Sequence, residues 1–599
     1  MQLFFTRRSR ASTTPALYRQ PGTRALARVV TRAIGVFLLW ATTAAVYAEP
    51  VMQISGGSAD AQENIRAHVN IGSEPCELPS WRERALLRTT RERADNALRA
   101  LGYYRNEITT ELDRSNSCWR LLMTVTPGQR IIVGEVDIRI TGEAEEDSAF
   151  RQLLADPRIR ENEPLRHSDY EAMKTALVRL AADRGYLQSE LNESRLEVDI
   201  DAGKAYVRLS LDSGPRYRFG TVTLDQTVLV EDLAVRFIPF NEGDYFDSRQ
   251  LIGLQQSLSG SGYYGSVRID TEPDHDTLRI PVEVTATPRP RHGYLAGIGF
   301  STDIGPRIRL GYENRRVNDR GHRYNTEIEA SPVRSGAGIN YEIPLDDPNR
   351  ERINLSSSYQ REDTSTSLSE RYRIGAAHLR ELRTGWIATT SLEFEREFFT
   401  ISGDRDRTDL LMPGFELSRT RSNHPIYPTR GWTVSGKIRG AEESVVSTVT
   451  FVQLRGRAKA VMPFLGGRVL TRVEGGATEA DEVVELPTSV RFFAGGDNSV
   501  RGYGYQRLGP RNDDGDVIGG RHLLAGSIEY DYLFLPSWAV AVFVDAGNAY
   551  DTLNDFEALY GYGLGVRWRS PIGPIRIDVA RPSDGRDAFR LHVSMGPDL

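Results

Sequence analysis

Two cysteines and seven methionines are all the sulfur in 599 residues, and no apolar run beyond the N-terminal region approaches the ~20 residues that a membrane-spanning helix needs. Only 39% of the residues are hydrophobic and the mean hydropathy is -0.42, which excludes a bundle of transmembrane helices. Basic residues do not outnumber acidic ones, 75 against 81, so no positive field exists to hold nucleic acid and none is expected as a partner. No Gly-x-Ser-x-Gly elbow, phosphate-binding Walker loop, His-Glu-x-x-His or Cys-x-x-Cys pattern occurs. An enzyme is therefore not expected, nor a cofactor or a metal. The aspartates around Gly515 (Asp513, Asp514, Asp516) read as a charged loop tip. What the chain has in quantity is glycine, 54 residues, with 25 tyrosines and 21 phenylalanines. That mixture suits strands and turns. The low hydropathy leaves a membrane β-barrel open, because lipid-facing and lumen-facing residues alternate and average out.

The N-terminus reads as a targeting device. Seven arginines from Arg7 to Arg32 precede the apolar run Ala33 to Trp40, and small residues lead to a cleavage site after Ala48. Residues 1–48 are thus expected to be a secretory signal; a membrane anchor would need a longer apolar run. Export places Cys76 and Cys118 in an oxidising compartment, where a disulfide is favoured over two buried thiols.

Internal repeats organise the first half. A helix-like stretch runs into Gly-Tyr three times, at Gly102-Tyr103, Gly185-Tyr186 and Gly262-Tyr263, with the tyrosines 83 and 77 residues apart. Each unit reads as a strand, helical material, the Gly-Tyr turn and two further strands. Glycine is the expected residue where a helix ends in a left-handed turn, and the tyrosine is expected to start the next strand. In the third unit the spacing predicts strands over 220–224, 266–270 and 277–284, with helical segments over 229–236 and 248–258. The boundaries expected are 49–131, 132–216 and 217–290.

From about Gly293 the texture changes to two-residue alternation. Ile528, Tyr530 and Tyr532 alternate with Ser527, Glu529 and Asp531; Phe589, Leu591, Val593 and Met595 alternate with Arg590, His592 and Ser594. A soluble sandwich alternates in the same way. The export signal, some 307 residues without amphipathic helices and aromatics near strand ends favour a transmembrane barrel over 291–599. At roughly 19 residues per strand and connection, about 16 strands fit. The expected fold is three α+β domains followed by an antiparallel transmembrane barrel.

At specific places the chain resembles a known family. The run Phe492 to Tyr503, ending Val500-Arg501-Gly502-Tyr503, the run Phe543-Val544-Asp545-Ala546-Gly547, the Tyr427 to Gly431 segment and Trp568 to Pro574 are similar to motifs of the outer-membrane assembly superfamily that joins POTRA domains to a barrel. BamA is its best-known member. Three repeats and the ending Gly596-Pro597-Asp598-Leu599 resemble the TamA branch of that superfamily. The resemblance implies three POTRA domains and a long inward-folded loop between strands 11 and 12. It implies a TamB-like inner-membrane-anchored partner, with unfolded autotransporters and other outer-membrane barrel proteins as substrates. Contact with outer-membrane lipid and residence in the outer membrane of a Gram-negative bacterium follow from it too.

Two constellations stand out. Arg501 lies in the implied loop, and by alternation Glu529 and Asp545 point inward from neighbouring strands. Arg501 is expected to pair with one or both, with Gly502 allowing a tight turn, Tyr503 packed on the wall and Gly547 in the same motif. The second constellation is the seam. The first strand carries Gly293, Gly297 and Gly299, and the last, over Phe589, Leu591 and Val593, is short and ends at Gly596. Glycine weakens a ladder, and an openable seam would offer edges for strand addition; the resemblance implies such a lateral gate, with Ile298 and Val593 expected to meet across it. A rival reading is a two-partner-type secretion pore that passes an exoprotein through the lumen, and a third is a passive channel.

Overall fold

The computed structural model describes residues 49–115, 118–401, 403–480, 485–570, 573–585, 589–596 and 598. The expected signal segment 1–48 with its Ala48 cleavage site lies outside the described residues, as do Pro571, Ile572, Pro597 and Leu599. The chain forms two compact units. One takes in the chain up to Ile140 with Ser148–Val178 and Leu191–Asp212; the other takes in Thr141–Asp147, Arg179–Glu190 and Ser213–Leu599. Among the described residues no helix is long and apolar enough to cross a membrane.

Among the described residues, three small three-stranded sheets precede a sixteen-stranded one. In the first, Val51–Ser55 pairs in parallel with Arg120–Thr126, which pairs antiparallel with Glu107–Asp113. Helices Ala59–His68 and Ser80–Ala100 bury Ile65, Ala94 and Leu98 against Leu121 and Met123 of the central strand. Ser58 caps the first helix by accepting from the Ala61 N–H. Cys76 and Cys118 are disulfide-bonded, closing a loop with a sequence separation of 42.

The sheets Ile132–Thr141, Lys204–Asp212, Glu190–Asp199 and Arg218–Asp225, Arg279–Pro288, Tyr264–Thr271 repeat the strand order of the first. In all three repeats the turn glycine is left-handed: φ is +88° at Gly102, +87° at Gly185 and +84° at Gly262. This conformation excludes most side chains after a helix end. The tyrosines do not start strands, contrary to the sequence expectation; the next strands begin at Glu107, Glu190 and Tyr264. Tyr186 and Tyr263 are instead buried beside the turn.

The barrel runs from His292–Ser301 to Arg590–Met595, each strand antiparallel to the next in the chain. Alternation sorts its faces: Ile528, Leu564 and Ile298 face outward and are well exposed, whereas Glu529, Asp531, Asp545 and Arg567 are buried inside. Charged residues persist inside because they pair across strands, as in Arg323 with Glu342 at 2.7 Å and Arg468 with Asp531 at 2.7 Å. The third small domain meets one end of the barrel. Tyr263 Oη donates to Gly321 O at 2.5 Å and the Val230 N–H donates to Asp319 O at 2.9 Å, so the turns around Gly321 mark the barrel end that meets the third α+β domain.

Candidate functional site: a loop anchor and an unpaired seam

The eleventh and twelfth barrel strands, Gly467–Ala480 and His522–Leu535, are joined by a long connection that folds back into the barrel. Phe492, Ala494, Val500, Tyr503 and Leu508 of this connection pack with Leu523, Ala525 and Ala549 of the wall. At its centre Arg501 is nearly fully buried. Its Nε and Nη2 donate to the two oxygens of Asp545 at 2.8 and 2.9 Å, and its own backbone N–H donates to Asp545 Oδ2 at 3.0 Å. Nη1 donates to Glu529 Oε2 at 2.8 Å and to Asp578 Oδ2 at 3.0 Å. The guanidinium also lies 3.4 Å from the Phe543 ring centroid. Burial works against its charge, but the hydrogen bonds to Asp545 and the charges of Asp545, Glu529 and Asp578 hold its pKa above the ordinary arginine value.

Two members of this cluster do not emerge from sequence reasoning. Asp578, on the fifteenth strand Gly573–Pro582, bridges Arg501 and Arg567, and Arg567 in turn donates to Glu529 Oε1 at 2.8 and 2.9 Å. Both belong to the inward-facing set, which alternation does identify; what alternation does not show is that the loop reaches across to them. Gly502 has φ of +98°, and a Cβ there would press on the Pro582 backbone at 3.1 Å. Its N–H donates to His592 Nε2 of the last strand at 2.9 Å. Tyr503 is buried in the wall cluster. Gly547 sits where a Cβ would come within 2.6 Å of Ala525 Cα, so its role is close strand approach. Gly561 provides similar clearance: any side chain there would collide with Arg501 O.

The seam has a different character. The first and second strands, His292–Ser301 and Gly305–Asn314, share ten ladder pairs, and Gly293, Gly297 and Gly299 leave that ladder complete. The fifteenth and sixteenth share six. Among the described residues no ladder joins the sixteenth strand to the first. They touch at one end only, where the Thr302 N–H donates to Val593 O at 3.0 Å and the Val593 N–H donates to Thr302 Oγ1 at 3.1 Å. Val593 therefore faces Thr302 and not Ile298, because the last strand is displaced toward the end of the barrel away from the third α+β domain. It begins at Arg590; Phe589 precedes it and is exposed. Leu591 faces outward.

The last strand stops because the chain leaves the wall. Gly596, with φ of +147°, donates to Pro574 O at 3.2 Å, and Asp598 turns inside to Arg468 Nη1 at 2.8 Å and to Arg576. Proline at 574 has no N–H to extend the ladder. Among the described residues the edge of the first strand from Tyr294 to Ile298 thus lies unpaired, with Tyr294 and Ile298 82% and 83% exposed. An edge of this kind can accept a strand.

Comparison with known proteins agrees with this architecture. Residues 296–598 match the family model described as the Omp85 superfamily domain, and residues 51–127 match that of the POTRA domain, TamA domain 1. Outer membrane protein assembly factor BamA of Nitratidesulfovibrio vulgaris is 23% identical over 449 residues, 69% of this chain and 55% of the relative. The chloroplastic outer envelope protein 80 of Arabidopsis thaliana is 25% identical over 381 residues, 56% of this chain and 49% of the relative. The chain spans about half the length of these curated relatives. BamA from Haemophilus ducreyi lacking POTRA domains 1-3 shares the fold, with a TM-score of 0.62 at 16% identity over 78% of this chain and 99% of that one. With its barrel, its inward loop and its N-terminal POTRA domain, the chain belongs to the Omp85 superfamily.

Proposed function

We propose that this protein inserts autotransporters and other β-barrel proteins into the outer membrane by opening the seam between its first and last strands. It is an outer-membrane barrel of the Gram-negative type with POTRA domains in the periplasm. In this reading the chain divides into POTRA domains over 49–131, 132–216 and 217–290 and a barrel over 291–599. The single observation that carries the proposal is the missing ladder between strands one and sixteen. Every other neighbouring pair in the wall is laddered, whereas among the described residues only two direct hydrogen bonds, both at Thr302 and Val593, join these two edges. The exposed first-strand edge is then a template on which a client strand pairs, and the client's own folding supplies the driving force. A TamB-like periplasm-spanning partner would deliver clients to the POTRA domains; the match of the first domain to a TamA-type POTRA supports that choice.

The test locks the seam. With Thr302 opposite Val593, antiparallel register places Phe300 opposite Met595. Phe300→Cys with Met595→Cys, joined by a bis-maleimide, leaves the disulfide-bonded Cys76 and Cys118 unmodified. Crosslinked protein in liposomes is expected to lose assembly of an autotransporter β-domain into a protease-protected form, while protein capped with a mono-maleimide retains it. Full assembly by the crosslinked protein would overturn the lateral route and favour passage through the lumen.

A further inference from the structure

The two seam hydrogen bonds do not stand alone. A third element, the lumen loop, is bonded to both sides of the seam through Asp497. On the first-strand side, the turn 302–304 supplies Thr302 and Asp303. Thr302 Oγ1 donates to Asp497 Oδ1 at 2.6 Å, and the Asp497 N–H donates to Asp303 Oδ2 at 2.8 Å. On the last-strand side, His592 Nδ1 lies 2.7 Å from Asp497 Oδ1. The Asp497 side chain and that of His592 are each only 2% exposed.

The hydrogen bonds determine the protonation states. The Gly502 N–H can only donate, so His592 Nε2, at 2.9 Å, must offer its lone pair. Nδ1 therefore carries the proton and donates to Asp497 Oδ1. A metal on Nδ1 would require a proton on Nε2, facing the Gly502 N–H, so this His-Asp-Asp group is poorly suited to a metal. Asp497 Oδ2 remains buried with no other donor among the described residues. The neighbouring carboxyl is that of Asp303: one oxygen of each aspartate and a ring nitrogen of His592 lie within 4.8 Å of one another, and a hydrogen bond between the two carboxyls requires that one of them be protonated. Gly496 is what lets Asp303 approach: with φ of +106°, a Cβ there would lie 2.7 Å from Asp303 Oδ2.

We propose that Asp303, Asp497 and His592 form a proton-dependent latch that staples the lumen loop across the seam, closed while the two aspartates share a proton and released when both ionise. Two adjacent anions in a confined site repel each other, and the loop, the turn and the last strand then lose their common pin. Burial, followed by the neighbouring Asp497 charge, pushes Asp303 up to about 7. The charged and titratable groups that line the same cavities as Asp303 include Arg590 before His592 on the last strand, Tyr503, Tyr505, Arg507 and Arg511 on the loop, Arg334 on the fourth strand, Glu362 and Asp363 at the end of the fifth, Arg371 on the sixth, and Asp584 after the fifteenth. Of these, Arg590 draws Asp303 down, and the resultant still lies above the ordinary carboxylate range.

The sign follows from linkage. A carboxyl whose pKa is raised in the latched state favours latching most at pH below its ordinary value, and that contribution is lost as pH rises through about 7. Between pH 6 and pH 8 the ratio of open to latched seam is expected to increase about tenfold and to level off at higher pH.

The experiment is pulsed dipolar spectroscopy on the full chain in liposomes, with spin labels at Phe300→Cys and Leu591→Cys, both on the outer face. No client is present, so the outcome is separate from the failure or success of the assembly proposal. Asp303→Asn keeps an oxygen for the Asp497 N–H and supplies a permanent donor to Asp497 Oδ2. It is expected to keep the seam latched with no pH dependence from 6 to 8, with heat-modifiable gel migration verifying the folded barrel. A pH-independent distance distribution in the otherwise unaltered protein would overturn the proposal, as would an unchanged pH dependence in Asp303→Asn. Opening at pH 6 on addition of EDTA would assign the pair to a divalent cation and would overturn it as well.

Discussion

Removing the Arg501 side chain is the most informative single perturbation of the loop anchor. The cluster holds three carboxylates, Asp545, Glu529 and Asp578, against two guanidiniums, Arg501 and Arg567, so its formal charge is -1. Arg501→Ala leaves the three buried carboxylates with Arg567 as their one direct ion-pair partner in the cluster, a charge of -2, with the charge of Arg472 acting on Asp545 and Glu529 from outside it. Breaking a buried ion pair from one side costs about 3 to 5 kcal/mol, most of it the penalty of the charge left behind. The barrel ladder does not pass through Arg501, so the cost falls on docking of the loop, not on the wall. A loss of 3 kcal/mol raises the undocked population by roughly a hundredfold, with each further 1.4 kcal/mol adding another factor of ten. Arg501→Lys restores the charge but not the two-pronged contact with Asp545 and is expected to recover about half of the loss. Limited proteolysis of the loop in detergent-solubilised and liposome-embedded protein measures the undocked fraction, and bilayer conductance reports the cleared lumen. Cleavage and conductance of Arg501→Ala within a factor of a few of the unaltered protein would refute the reasoning, since the anchor would then contribute little to docking.

Other consequences can be checked with similar means. Gly561→Ala retains every charge but places a methyl against Arg501 O, so it is expected to undock the loop by about 1 to 3 kcal/mol, read by the same proteolysis. Cys76→Ser with Cys118→Ser removes a closed loop of separation 42, worth about 4 kcal/mol by the chain-entropy argument; thermal unfolding should show a less stable first domain and an unchanged barrel transition. Tyr263→Phe strands the Gly321 carbonyl and is expected to speed amide exchange in the 317–322 turn by about tenfold, consistent with a loss of 1 to 2 kcal/mol.

How much of this was legible in the sequence depends on how local the cause is. The left-handed glycines at 102, 185 and 262 announce helix ends because the constraint is a backbone one, local to each turn. The wall was legible because alternation has a period of two whatever the partner strand. Arg501 could be directed to Glu529 and Asp545 because the twelfth and thirteenth strands follow one another directly in the chain. Asp578 and Arg567 were visible only as members of the inner face. The Asp303–Asp497–His592 cluster was not visible at all: its members come from a turn, a loop and a strand that meet only when the sheet closes, with a sequence separation of 194 between Asp303 and Asp497. Equal placement of the strands in the wall would set Ile298 beside Val593. The inward turn at Gly596 and the grip of Arg468 and Arg576 on Asp598 shift the last strand instead.

The most direct test of the central claim maps the first strand against a client in transit. Single cysteines at Leu295, Gly297 and Ile298, and in the lumen at Arg457, are combined with a cysteine walked along the C-terminal strand of an autotransporter β-domain arrested during assembly. Edge pairing requires disulfide adducts from the first-strand positions in one antiparallel register, with partners advancing by one residue per position, and none from Arg457. Adducts from Arg457 with a silent first strand would contradict the account and place the client in the lumen.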